Sequence, residues 1–296
     1  MDRVDAMDTD LFASNGSGKF ISIANESCLE TMKKMVETGS KVDLILTSPP
    51  YNTNKKAGKT RTIENATLHK NIYPYVRYDC YVDTLTNEQY LEKTKNLFNA
   101  FDSILKENGV VLYNISYGSE NTEILPLTMA KVIEDTPFTM ADLIVWKKQS
   151  AMPNTCSPNK ITRIVEFICV FVRKAEIKTF TAYKEKRSIR STGQQMYDSV
   201  MNFIEAKNND KSCPLNKATF SSELVGKLLK IYDSHDSVVY DPFMGTGTTA
   251  IGCLRFGCSC HGSEISEKQC AYATDRIREE NKSLGYPFAA FDEDWI

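Results

Sequence analysis

The stretch Val238-Val239-Tyr240-Asp241-Pro242-Phe243-Met244-Gly245-Thr246-Gly247-Thr248-Thr249-Ala250 limits the folds open to this chain more than any other. It reads as an apolar strand, a glycine turn and the opening of a helix. Glycines let the backbone turn sharply and approach a ligand with no Cβ in the way, and a helix start directs N–H groups at whatever is bound. The loop is therefore of the nucleotide-cofactor type, with Asp241, Phe243, Gly245, Gly247 and Thr248 as candidate contacts. Glu264, at the end of the next strand from Ser259 to Ile265, is placed to accept hydrogen bonds from ribose hydroxyls, as at both dinucleotide and S-adenosylmethionine sites. The rest of the chain suits such a loop. Apolar runs at 20–24, 42–46, 110–115, 141–146 and 161–172 alternate with helical spacing at 29–36, 86–105, 124–134 and 223–232, with Gly109 expected to close the second helix. Buried strands alternating with helices give a parallel-rich, doubly wound α/β sheet.

A second stretch, Thr47-Ser48-Pro49-Pro50-Tyr51, follows the apolar run Val42, Leu44, Ile45, Leu46. Two successive prolines set both φ angles, remove two N–H donors and push the preceding residues into extended geometry. The carbonyls are left without local donors. A stiff row of acceptors, the Ser48 hydroxyl and an aromatic face at Tyr51 suit a flat ring bearing an exocyclic NH₂, which is the description of a nucleobase. Pro-Pro alone would be an ordinary strand end, and the glycine loop alone also fits a dinucleotide fingerprint. It is the pair that is informative.

Together, and in this order, the two stretches resemble the beta group of S-adenosylmethionine-dependent DNA amino-methyltransferases. The likeness extends from about Lys19 to Leu284. It implies a circularly permuted, Rossmann-like methyltransferase fold with a mostly parallel seven-stranded sheet and an inserted recognition segment. It also implies S-adenosyl-L-methionine as cofactor and double-stranded DNA as substrate, with Ser48, Pro49, Pro50 and Tyr51 as the catalytic motif and Thr47 beside the cofactor. Asn25 or Glu26 stands where the family contacts adenine, although a helix N-cap at Asn25 or Ser27 fits as well. Lys217, Thr219 and Phe220 stand in the segment that seats the methionine carboxylate. Ser at the first motif position leans the target towards cytosine N4, with adenine N6 as the alternative. The family often forms dimers, and a homodimer and a cognate restriction endonuclease are the protein partners to expect.

The net charge of −2 does not itself suggest DNA, but the distribution of charge does. Residues 53–80 carry six Lys or Arg against Glu64 and Asp79, including Lys55, Lys56, Lys59 and Arg61. Residues 173–190 carry seven against two acids, including Lys184, Lys186, Arg187 and Arg190. An uneven field of this kind draws a polyanion to one face. Residues 53–82 are thus expected to be a DNA-contact loop. Residues 180–210, which lose clear periodicity and gain Gln194, Gln195 and Asn202, are expected to be the target-recognition insert. Residues 1–18 read as a polar, disordered tail ahead of a single catalytic domain at 19–296. Acids at the start of the chain, the lack of any apolar run long enough for a membrane span, and nine scattered cysteines place it in a reducing cytoplasm. Cys253, Cys258, Cys260 and His261 have no second pair to complete a zinc site, so no metal is expected. Two remoter readings are a nicotinamide oxidoreductase, which gives Thr47 to Tyr51 no role, and a DNA-binding module without catalysis.

Overall fold

The computed structural model describes residues 19–52, 85–117, 121–151, 153–155, 158–210, 219–233 and 236–284. The tail at 1–18, the loop at 53–82 and Lys217 lie outside the described residues. The strands are β1 (Ile21–Ala24), β2 (Val42–Thr47), β3 (Leu105–Ile115), β4 (Phe138–Lys148), β5 (Val165–Arg173), β6 (Lys186–Ile189), β7 (Gln195–Tyr197), β8 (Phe203–Ala206), β9 (Val238–Asp241) and β10 (Ser259–Ser263). The helices are α1 (Cys28–Thr38), α2 (Asn87–Ile104), α3 (Ile124–Asp135), α4 (Ser222–Tyr232), α5 (Thr248–Phe256) and α6 (Glu267–Leu284).

The main sheet runs β1-β10-β9-β2-β3-β5-β4-β8, and β6 pairs with β7 as a separate hairpin. All its pairings are parallel except those of β5, which is antiparallel to both β3 and β4. Strands from opposite ends of the chain, β1 and β10, lie side by side, so the order of the halves is permuted relative to their places in the sheet.

Among the described residues the sheet has eight strands, where seven are expected. The extra one, β8, lies inside the 180–210 segment and pairs in parallel with the last residues of β4, from Val145↔Phe203 to Lys148↔Ala206. Only Ile204 and Ala206 turn inward, and two apolar side chains in four residues carry too little periodicity to stand out.

Helices cover both faces. In β2, Leu44 and Leu46 feed the layer shared with α4 and α5, whereas Val42 and Ile45 feed the layer under α1 and α2. A shift of register between Val42 and Leu44 puts these two on opposite faces despite their even spacing. Helix α2 opens on a full capping box, with the Thr86 side chain taking the Gln89 N–H and the Gln89 side chain taking the Thr86 N–H. Its Phe98 ring packs against Phe101, Tyr113, Phe138 and Phe171 at centroid distances of 5.1 to 5.5 Å, mostly tilted or edge-on.

Gly109 does not close this helix. The helix stops at Ile104, Leu105 is already extended, and Asn108 takes the left-handed φ of 58°. Gly109 sits within β3 because a Cβ there would lie 2.5 Å from Leu105 Cγ and 3.1 Å from the Asp43 carbonyl.

Candidate active site

Strands β9 and β2 are parallel neighbours, but the chain leaves them in opposite directions, through α5 to β10 and through α2 to β3. Such a reversal opens a crevice at the carboxyl ends of the strands, where open α/β sheets bind ligands. The two strand ends are tied across it. Thr47 Oγ1 donates to Asp241 Oδ1 at 2.8 Å, fully buried, and the same carboxylate accepts from the Phe243 N–H at 3.0 Å and from Thr249 Oγ1. Burial pushes the Asp241 carboxyl up to about 6, aided by the nearby Glu264 charge and opposed by these three hydrogen bonds.

The glycine loop carries positive φ at Gly245 (55°) and Gly247 (81°). Gly245 N–H donates to Glu264 Oε2 at 2.7 Å, and Ser266 N–H to Glu264 Oε1 at 2.8 Å. Glu264 therefore stitches the loop to the end of β10. The two glycines differ in duty. Gly245 is on the cavity wall, whereas a Cβ on Gly247 would meet the Ala273 Cβ of α6 at 3.0 Å. Gly247 is not on that wall, and its lack of a side chain lets α5 and α6 come together.

A cavity of about 440 Å³, within the range of small-molecule sites, spans the crevice. From the β1, β9 and β10 side it is lined by Glu26 to Leu29, Asp241 to Gly245, Thr248 and Glu264 to Ser266; from the other side by Ser48, Pro49, Pro50, Tyr90, Lys93 and Tyr113. Thr219 and Phe220, just ahead of α4, add to the wall. The structure thus brings together residues of both motifs that are far apart in sequence. Asn25 is not on the wall. Its amide donates to the Glu264 carbonyl at 2.8 Å, and Ser27, not Asn25, caps α1. Glu26 lines the cavity while its carboxylate takes Thr31 Oγ1 at 2.9 Å and Lys34 Nζ at 2.6 Å.

Tyr51, half-buried, has its hydroxyl hydrogen-bonded to Ser48 Oγ (2.9 Å), Glu166 Oε2 (3.1 Å) and Asn114 Nδ2 (2.9 Å), and its ring packs on the core next to the cavity wall at Ser48. Sequence reasoning misses Asn114, Glu166 and Lys148, the last paired with Glu166. A signal exists for two of them: a polar residue at the end of the apolar run 110–115 and a lone acid in 161–172.

Lys184, Lys186, Arg187 and Arg190 are all exposed on or beside the β6–β7 hairpin, with Arg187 3.7 Å from Asp198. The hairpin is anchored by Tyr183 N–H on the Ile231 carbonyl at 2.7 Å. Ile231 is in the last turn of α4, and none of these four cations is on the wall of the cavity beside Ser48. Lys55, Lys56, Lys59 and Arg61 lie outside the described residues.

No three or more His, Cys, Asp or Glu among the described residues are grouped to hold a metal. Burial pushes the Cys253 thiol well up and the His261 imidazole down to about 4, and the His261 ring meets Ser22 Oγ at 2.6 Å. No described helix is long and apolar enough to cross a membrane.

The family model for DNA methylases of the N6/N4 type matches residues 42–275. This chain belongs to the N6/N4 DNA methylase family. As an amino-methylase, it is 23% identical over 279 residues to the type II methyltransferase M.MjaI of Methanocaldococcus jannaschii, a match spanning 83% of this chain and 88% of that one. It is also 23% identical over 264 residues to M.MthZI of Methanothermobacter thermautotrophicus, spanning 81% and 72%. Among solved structures it is similar to M1.HpyAVI in complex with SAM (TM-score 0.57, 20% identity, 87% of this chain and 100% of that one). The cytosine-N4-specific PvuII DNA methyltransferase is similar to the same degree in fold (TM-score 0.57, 13% identity, 91% and 95%). At these identities the structural likeness establishes the shared fold, and the N6/N4 methylase assignment rests on the family match.

Proposed function

We propose that this DNA methylase transfers a methyl group from S-adenosyl-L-methionine to the exocyclic amine of a base extruded from double-stranded DNA, and that the base is cytosine, methylated at N4. The observation that carries the reading is the single cavity shared by the glycine loop and the Ser48-Pro49-Pro50 motif, clamped by the Thr47–Asp241 hydrogen bond. When bound, the cofactor supplies an electrophilic methyl on a sulfonium, which an amine can take without a covalent enzyme intermediate.

The residues present fit that cofactor. Gly245 leaves the wall open to close approach, Glu264 offers a carboxylate suited to ribose hydroxyls, Phe243 and Thr248 flank the loop, and Thr219 and Phe220, with Lys217 just before them, precede a helix start suited to a carboxylate. Asp241 and Thr47 hold the loop against the motif. Ser48 Oγ and the Pro49 carbonyl then hold the amine while its lone pair, delocalised into the ring, localises on nitrogen. Positioning and oriented acceptors account for the acceleration.

The choice of base rests on Ser48, since likeness of fold carries no base; adenine N6 is the second reading, as both amines present two hydrogens. Phosphate contacts are assigned to Lys55, Lys56, Lys59 and Arg61, and to the hairpin cations for duplex distant from the extruded nucleotide. The type II relatives suggest a cognate restriction endonuclease in the same host, and a homodimer is the assembly proposed.

Plasmid from cells expressing the protein, digested to nucleosides and resolved by mass spectrometry, tests the reading, and modification-sensitive sequencing maps the site. N4-methylcytosine is the expected product. N6-methyladenine would replace the base and keep the mechanism. 5-Methylcytosine would overturn the mechanism, because carbon methylation needs a cysteine nucleophile that this motif lacks.

A further inference from the structure

Four residues from four neighbouring strand ends meet behind Ser48. Tyr51 OH is 3.1 Å from Glu166 Oε2 and 2.9 Å from Ser48 Oγ, and Asn114 Nδ2 reaches Tyr51 OH at 2.9 Å and both Ser48 Oγ and Glu166 Oε2 at 3.3 Å. Lys148 Nζ occupies the other carboxylate oxygen, Glu166 Oε1. Asn114 is the last polar residue of β3, Glu166 is near the start of antiparallel β5, and Lys148 ends β4, so the row follows the carboxyl edge of the sheet.

Each of these groups has a known stock of protons. An ionised carboxylate only accepts, and a phenol has one hydrogen to donate. A hydrogen bond to a carboxylate is about twice as strong as one between neutral groups, so the phenol hydrogen goes to Glu166. Tyr51 oxygen is then an acceptor towards Ser48, and the one hydrogen of Ser48 points back at it. The Asn114 amide is oriented by the same carboxylate, with Nδ2 turned to the chain at the cost of leaving its Oδ1 buried without a partner among the described residues. That cost is the desolvation of one amide oxygen, and the opposite orientation would set the oxygen against the carboxylate.

We infer that Glu166 is a positioning and specificity residue that polarises the chain Glu166–Tyr51–Ser48, so that Ser48 meets the cavity as an acceptor only. The inference rests on the amine-methylation reading and deepens it. A hydroxyl free to turn would bind an amine and a carbonyl alike. One whose hydrogen is held from behind takes an N–H and leaves a carbonyl oxygen facing a lone pair. The chain thus gives a neutral Ser48 the one-way character of a carboxylate, and admits amino bases over keto bases.

The test uses the full-length protein and duplexes carrying the site mapped by sequencing, with the target amine either present or replaced by the keto analogue, uracil for cytosine or hypoxanthine for adenine. Wild type is expected to bind the amino duplex roughly tenfold more tightly or better, by analogy with sites that leave a buried polar group mispaired. Glu166→Gln, isosteric but able to donate, should bring the two affinities within about threefold, as buried pairings reverse. Tyr51→Phe should do the same, the double variant should be no worse than either single one, and Glu166→Asp should restore part of the preference. Equal melting temperatures for wild type and E166Q would show that the fold is intact; if E166Q unfolds, Tyr51→Phe carries the test. A full amino preference in folded E166Q and Y51F would overturn the inference. If wild type methylates no plasmid site, it is the amine-methylation reading that fails, so the two failures are distinct.

Discussion

Gly247 shows how a glycine in a tight loop can be required by the packing of its neighbours. With φ at 81° and Ala273 3.0 Å from where a Cβ would lie, any side chain there strains the backbone and pushes α6 away. Gly247→Ala should therefore lower the unfolding free energy by about 2 kcal/mol or more, from the left-handed penalty plus the steric clash, as read by urea denaturation without ligand. A variant as stable as wild type would mean that α6 yields freely. Two buried titrating groups make a second prediction. His261 is held down to about 4 by burial, so its neutral form favours the fold above its unfolded value near 6.5, and that contribution is lost as pH falls towards 4. Asp241, raised to about 6, works the other way: it penalises the fold above that pH, and acidification towards 3.8 relieves the penalty. Each is worth about 3 kcal/mol at full span, so wild type should be nearly flat from pH 6.5 to 4 where the two offset. Asp241→Asn should then lose stability steadily over that window, and His261→Gln should gain it. Parallel pH profiles for wild type and both variants would refute the linkage.

Elements with a strong period or a full cap were legible from sequence, and those without were not. Helix α2 announced itself through Thr86, Gln89 and an apolar face, and its tertiary contacts agree with that local signal. Its end was misread because Gly109 looked like a cap, when the close approach of Leu105 and Asp43 is what requires a glycine there. Strand β8 was invisible, since two inward residues carry almost no alternation, and its place is set by pairing with β4. Polar residues on apolar strands were the hardest to weigh: Asn114 and Glu166 gain meaning only when the sheet order sets β3 beside β5. For the β6–β7 hairpin, replacing Lys184, Lys186, Arg187 and Arg190 with Gln should weaken DNA binding and flatten its salt dependence by up to about 0.9 for each phosphate no longer neutralised. The single-turnover rate at saturating DNA should not change, because none of the four cations lines the cavity that holds Ser48. An unaltered salt slope would leave the hairpin as solvated surface, and a slowed chemical step would place it at the target base.

At the scale of the molecule, the order of the two motifs foretold that the sheet is permuted, and the sheet order shows what that means physically. The half of the sheet beside the glycine loop is assembled from β1 near one end of the chain and β9 and β10 near the other, with hydrogen bonds such as Asn25 Nδ2 to the Glu264 carbonyl and Thr47 Oγ1 to Asp241 closing separations of 239 and 194 residues. These pieces are joined by contacts between residues far apart in sequence. A ligand that touches residues 26–29, 241–249 and 264–266 at once should therefore act as a clasp on the whole fold. Binding the native state alone, S-adenosylmethionine at about 100 times its dissociation constant should add about 2.7 kcal/mol, a rise in melting temperature of roughly 4 °C for a chain of this size. Amide exchange should slow in all three segments together, and in Thr47 across the crevice. Glu264→Ala should remove most of that shift, because the carboxylate that orders Gly245 and Ser266 is gone; the variant must be compared with its own ligand-free form, since the missing hydrogen bonds lower its starting stability. Protection confined to residues 241–249 would show that the cofactor meets only its glycine loop, and the shared cavity would then no longer support the proposed reaction.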